Sequence, residues 1–235
     1  LHRFGEELTG PEYSGRYVKM ARERNIPILT DAMALQLTHD RRVTFVSPAT
    51  GYTTVKADAV ILAVGGVPVI PPLSYRGQDR VLWVGDIHSG AARIGADVLI
   101  AGAGLTGCEA ALQLLQSGKR VTLIDALPKE RLGSGSSPIN AYALFNMLED
   151  LHVDLRTGAK LVDVTRECAV VAREGREERL AFDTVILSLG TRVDTDSIRS
   201  LSAAVAECYV VGNSNGRSAT VWNATTSAFD AAMAI

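Results

Sequence analysis

Glycines at 102, 104 and 107 punctuate the segment Gly102-Ala103-Gly104-Leu105-Thr106-Gly107, directly after the apolar run Val98-Leu99-Ile100-Ala101. Each has its own chemical use. Gly102 permits a tight turn, Gly104 lets the backbone approach a pyrophosphate, and Gly107 lets a helix pack closely on its strand. The helix that follows, from Cys108 to about Gln116, would turn unpaired N–H groups and a partial positive charge toward phosphate oxygens. Asp125 comes 18 residues after Gly107, where the next apolar run Val121–Ile124 ends. That is close to the spacing of about 20 expected of an acid that accepts a ribose 2′-OH. A carboxylate there also repels a 2′-phosphate, which favours NADH over NADPH. Lys129 and Arg131 lie nearby and would temper that preference.

Two further strand ends carry glycine, Ala63-Val64-Gly65-Gly66 and Ser188-Leu189-Gly190-Thr191. Gly65 and Gly190 would let the chain pass close beneath a cofactor, or simply leave a strand for a loop. The segment Tyr209-Val-Val-Gly212-Asn213-Ser-Asn-Gly216 precedes a helix from about Trp222 to Ile235. Asn213 there has two readings, a donor to a ribityl hydroxyl or phosphate and ordinary turn chemistry. Glu109, in the first turn of the glycine-turn helix, is the one catalytic candidate; an acid near the positive end of a helix dipole needs no catalytic role. His2, His39, His88 and His152 fall in no metal spacing and no nucleophile pair. Cys108, Cys168 and Cys208 form no CxxC and no zinc set. No metal site, triad or P-loop is expected.

The elements that must position these residues follow from the apolar pattern. The 235 residues, 47% hydrophobic, suffice for one large domain or two small ones. A net charge of −2 and scattered basic residues give no reason to expect nucleic acid or a membrane surface as partner. No run approaches the roughly 20 apolar residues of a membrane span, and three unpaired cysteines fit a reducing cytoplasm. Residues 11–25 read as a helix opened by Pro11, and Ile26–Leu29 as a short strand. Ala34–Thr38 and Val43–Val46 read as a hairpin, and Ala59–Val64 as a strand buried on both faces. Pro68, Pro71 and Pro72 mark a crossover between domains. Gly133–Ser137 reads as a flexible loop.

An internal repeat organises the chain. A shift of 127 residues lays Pro11 on Pro138, Met20 on Met147, Ile26 on Val153, Ala32 on Ala159 and Leu37 on Val164. After a two-residue slip, Asp58–Leu62 falls on Asp183–Leu187 and Gly65 on Gly190. Only the second copy is preceded by a strand–GxGxxG–helix–strand unit. The expected fold is α/β: a three-layer ββα dinucleotide-binding, Rossmann-like domain with a central parallel sheet at 70–195. Residues 1–69 and 196–235 would form an incomplete second domain of the same type. A methyltransferase would share the glycine turn and strand-end acid, but it does not predict the repeat.

The order Asp58–Gly65, Gly102–Glu109, Asp183–Gly190 and Tyr209–Asn213 resembles the pyridine nucleotide:flavin oxidoreductase superfamily, whose members carry two dinucleotide-binding domains. Gly107–Glu109 and Trp222–Ala224 are similar to the C-terminal half of 2-enoate reductase and related NADH:flavin oxidoreductases. Leu1–Tyr13 is less specifically similar to FAD-dependent dehydrogenases of the glycerol-3-phosphate type. The resemblance implies NADH held by the segment Gly102–Gly107 with Asp125, near Gly190. It implies FAD lined by Val64, Gly65, Gly212 and Asn213, and hydride passing from NADH to the flavin. Two departures stand out: Asn213 replaces the family's Asp, and the FAD domain's own glycine turn is missing. An upstream domain or a dimer partner would complete that domain. The alternative is a non-enzymatic NAD(H) sensor that has lost flavin.

Overall fold

A computed structural model describes residues 5, 8–77, 79–89, 93–133, 137–217 and 220–235. Its first half forms α1 (Gly10–Glu23), β1 (Met33–Leu37), β2 (Arg42–Ser47), β3 (Gly51–Lys56), β4 (Val60–Leu62), β5 (Val67–Pro68), β6 (Val81–Trp83), β7 (Asp97–Ala101), α2 (Leu105–Gln116) and β8 (Arg120–Asp125). The rest forms α3 (Pro138–Asp150), β9 (Asp154–Thr157), β10 (Ala159–Val164), β11 (Ala169–Arg173), β12 (Arg176–Leu180), β13 (Thr184–Leu187), β14 (Thr191–Arg192), α4 (Thr195–Ala203), β15 (Cys208–Val210) and α5 (Val221–Ala234). Two compact units result. The first comprises residues 1–64, 195–215 and 220–235, the second residues 65–194 and 216–219.

The second unit is built on a five-stranded sheet in the order β6-β13-β7-β8-β9, and every pairing in it is parallel. Alternate residues of a strand face opposite sides, and the two cores follow that alternation. Val98, Ile100, Leu123 and Ile186 join Ala111, Leu114, Leu144 and Leu148 of α2 and α3 on one side. Leu99, Ala101, Ile124, Val185 and Leu187 join Ala159, Leu161, Val164 and Val171 of the antiparallel sheet β10-β11-β12 on the other. This is the expected three-layer ββα arrangement. The central strands have no polar face because both faces are covered.

The first unit repeats part of this plan. Its antiparallel sheet β1-β2-β3 corresponds to β10-β11-β12, and the parallel pair β15-β4 corresponds to β6-β13. Pro11 sits in the first turn of α1, and the Glu12 carboxylate accepts both the Thr9 N–H and the Thr9 hydroxyl at 2.9 and 2.7 Å. The expected strand Ile26–Leu29 does not form. Ile26, Ile28 and Leu29 are 53, 46 and 54% exposed, and the segment has no strand partner among the described residues. Its counterpart by the repeat enters β9, which pairs with β8. A strand exists only through its neighbour's hydrogen bonds, and the first unit offers no counterpart of β8 among its described residues. The helix also stops at Glu23 rather than at residue 25, because Asn25 turns to a φ of 54°. β3 and α4 were not expected. Of the loop expected at Gly133–Ser137, residues 134–136 lie outside the described residues.

Candidate functional site

In the second unit β7 leads through α2 to β8 on one side, while β13 and β6 lie on the other. The chain therefore reverses its winding between β7 and β13. In open α/β sheets, ligands bind beyond the carboxyl ends of the strands at that switch point. The glycine turn lies there. The Gly102 N–H donates to the Ile124 carbonyl at 2.8 Å, and the Ser188 N–H donates to the Ala101 carbonyl at 2.8 Å. The turn is thus fixed to β8 on one flank and to the end of β13 on the other.

The three glycines have different reasons to be glycine. Gly102 has a φ of +108°, and a Cβ on it would lie 2.2 Å from the Ser188 carbonyl oxygen. A Cβ on Gly107 would lie 1.9 Å from the Gly102 carbonyl oxygen. Both are required by the fold itself. Gly104 is not: its φ is −70° and ψ 176°, open to any residue, and a Cβ there would meet nothing within 4 Å. Gly104 is the N-cap of α2 with no side-chain cap, and the first i→i−4 bond runs from the Cys108 N–H to its carbonyl at 3.0 Å. The N–H groups of Leu105, Thr106 and Gly107 precede that bond. Gly104, Leu105 and Thr106 are exposed, whereas Ala103 and Gly107 are buried.

Asp125, at the end of β8, reaches the turn directly. Its Oδ2 accepts the Ala103 N–H at 2.7 Å and its Oδ1 accepts the Leu127 N–H at 2.8 Å. Glu109 lies exposed on α2. Burial pushes the Cys108 thiol up to about 12, with Asp125 and then Glu109 adding to the effect. Its Sγ faces the Ala103 carbonyl at 3.5 Å. A thiol so held stays protonated and is no nucleophile.

Gly190, between β13 and β14, lies in the left-handed region at φ +81°, and its carbonyl accepts the Val69 N–H at 3.0 Å. Gly65, its partner in the repeat, has a φ of +73°. Ser188 was not among the expected site residues, although it flanks Gly102 and Gly107. Its signal was only its place at the end of a buried strand. A cleft of about 540 Å³ opens elsewhere in this unit, between residues 129–133 and α3, lined by Lys129, Leu132, Phe145 and Glu149 among others. No glycine-turn residue lines it.

In the first unit, Val64 is 58% exposed just after β4. Gly212 is buried. Its N–H donates to Ser227 Oγ at 2.9 Å and its carbonyl accepts Asn223 Nδ2 at 3.1 Å. Its backbone groups are thus taken up by α5. The N-terminus of α5 is itself capped, the Asn223 N–H donating to Thr220 Oγ1 at 3.1 Å. Asn213 lies beside Gly212 in a 3-10 turn, Gly212–Asn215. Among the described residues of this unit, none forms a strand–glycine turn–helix cradle for a pyrophosphate.

The family profile described as pyridine nucleotide-disulphide oxidoreductase matches residues 7–222. The chain belongs to that family. It is 29% identical over 163 residues to a cinnamate reductase of Clostridium sporogenes, covering 68% of this chain and 24% of the relative. It is 27% identical over 162 residues to an NADH oxidase of Thermoanaerobacter brockii, covering 66% and 25%. The chain thus spans about a quarter of the length of these relatives. Among solved structures, a bacillithiol disulfide reductase, Bdr, from Bacillus cereus superposes with a TM-score of 0.68 at 15% identity, covering 94% of this chain and 78% of that one. That likeness bears on the fold alone, a Rossmann-type α/β fold. Among the described residues, no helix is long and apolar enough to cross a membrane.

Proposed function

We propose that the second unit holds NADH at the glycine turn and is the NADH-binding portion of an FAD-dependent oxidoreductase. The observation that carries this reading is Gly104. Neither its backbone angles nor its surroundings demand glycine, and the absent side chain leaves the backbone at the helix N-terminus open to a phosphate. The adjacent N–H groups of Leu105, Thr106 and Gly107 suit a pyrophosphate, and Asp125 at the turn suits a ribose hydroxyl better than a 2′-phosphate. When bound, NADH supplies a hydride and becomes NAD⁺. The chain's own part is to bind and orient it.

The relatives' names support a redox role, and the chain's short coverage of them supports a site shared with further protein. In the first unit Gly212 is committed to α5 and no pyrophosphate cradle is present among the described residues. No flavin step is therefore assigned to Val64, Gly65, Gly212 or Asn213. The flavin site of the whole protein is completed by a strand–glycine turn–helix–strand segment from an upstream domain or a dimer partner. The same commitment of Gly212 favours a second reading, an NAD(H)-binding module that works without flavin. FAD titrated into this chain separates the two from a third possibility: tight binding here would overturn the shared site.

The test of the NADH site is a titration of wild type and Gly104→Trp with NADH, followed by fluorescence, with thermal melts alongside. Wild type binds, and the variant loses at least ~100-fold in affinity, about 2.7 kcal/mol, while its melting temperature holds. No binding by wild type, or equal binding by the variant, sinks the reading.

A further inference from the structure

Asp125 does more in this structure than present a carboxylate to a ribose. Its two oxygens are each occupied by a backbone N–H, one from the glycine turn (Ala103) and one from the loop after β8 (Leu127). Ala103 is 1% exposed, so its N–H has no recourse to water. The Leu127 carbonyl in turn accepts the Gly158 N–H at 3.1 Å. Gly158 separates β9 from β10. The glycine turn is thereby tied through one side chain to the loop beyond β8 and to the entry of the antiparallel sheet. An ionised carboxylate oxygen has two lone-pair sites, so each oxygen that holds a backbone N–H keeps a site for a ligand hydroxyl.

Resting on the NADH reading above, we propose that Asp125 is the positioning residue of the glycine turn and couples the ribose and pyrophosphate subsites. The pyrophosphate is met by N–H groups whose placement depends on Ala103. Ala103 is placed by the same carboxylate that receives the ribose. Replacing Asp125 with Asn leaves one oxygen and turns an NH₂ toward a backbone N–H, so either Ala103 or Leu127 loses its acceptor. The damage then reaches the pyrophosphate subsite even when the ribose has no hydroxyl to lose.

The experiment pairs two ligands with two proteins: NADH and its 2′,3′-dideoxyadenosine analogue, each titrated into wild type and Asp125→Asn. Coupling predicts that the variant loses ~10- to 100-fold for both ligands, the range expected when a charged hydrogen-bond partner is removed. The Ala103 amide proton should resonate downfield in wild-type NMR spectra, because it meets a carboxylate, and move upfield in the variant. If the variant weakens NADH but leaves the analogue unchanged, Asp125 acts on the ribose hydroxyls alone and the proposal is overturned. A silent Ala103 amide overturns it too. Should Asp125→Asn fail to fold, Asp125→Ser, which keeps one acceptor, is read in the same way. Wild type that binds neither ligand defeats the NADH reading, a result distinct from any of these.

Discussion

The tripeptide Val-Ile-Leu occurs twice, as β4 and as the last three residues of β13, and its two settings differ. Val185, Ile186 and Leu187 are at most 1% exposed, whereas Val60 and Leu62 are 9 and 7% exposed and Ile61 is 41%. The residues are the same and both triplets lie in parallel strands. β13 lies between β6 and β7, and Ile186 packs into the cluster formed by α2 and α3. β4 has β15 alone. A strand's hydrophobicity thus states what it requires, and only its neighbours decide whether it is met.

The comparison breaks most readily at the isoleucines. Ile186→Ala should cost ~2–5 kcal/mol, the range for a fully buried large-to-small change. Ile61→Ala should cost less than about 1 kcal/mol, since much of that side chain is already in water. Urea denaturation of both variants measures this, and equal costs would mean that the two strands are equally covered. Hydrogen exchange sharpens the point. Amides of β13 should exchange at least ~100-fold more slowly than those of β4, because a strand paired on both edges opens only with its whole unit.

A smaller contrast concerns the thiols. Cys108 in the second unit is buried and held far above its ordinary 9.0, at about 12, whereas Cys208 in the first is half-buried with its Sγ 3.7 Å from Ser202 Oγ. Between those two pH values the unfolded chain gives up a proton that the folded chain keeps. The native state therefore binds more protons, and stability falls as pH rises through this window, by at most about 1.4 kcal/mol per pH unit. Cys108→Ala should flatten that alkaline decline. Iodoacetamide at pH 8 should label Cys208 and spare Cys108; labelling of Cys108 in the native protein would remove the basis for the decline.

Much of the second unit was legible in the sequence because each of its signals agrees with its neighbours. The run Val98–Ala101 is apolar at every position because both faces of β7 are covered, Gly102 and Asp125 stand where that strand and β8 end, and Gly107 lies in the first turn of α2. The layer beyond was also legible through the repeat, which laid Leu37 on Val164 and Ala32 on Ala159. Ser188 was not legible: a serine after a buried strand carries no mark of lying beside Gly102 until β13 is placed next to β7. Nor was the division of labour among the glycines, since a motif cannot distinguish Gly104, in open space, from Gly107, against a carbonyl oxygen. The mistaken strand at Ile26–Leu29 has the opposite cause. Its apolar pattern is real, but the hydrogen bonds that make a strand belong to a neighbour, and no pattern within the segment reports whether that neighbour is present.

That segment supplies the finest test. Ile28 falls on Leu155 in the repeat, and Leu155 packs against the second unit's core while Ile28 is 46% exposed. Leu155→Ala should destabilise by ~2 kcal/mol. Ile28→Lys, a harsher change on paper, should stay within about 0.5 kcal/mol, as surface substitutions do, because the new ammonium enters water that already surrounds the isoleucine. Both are read from thermal melts of this chain. A loss for Ile28→Lys as large as that for Leu155→Ala would place residues 26–29 under cover, and the asymmetry between the two units would then lie in β4 alone.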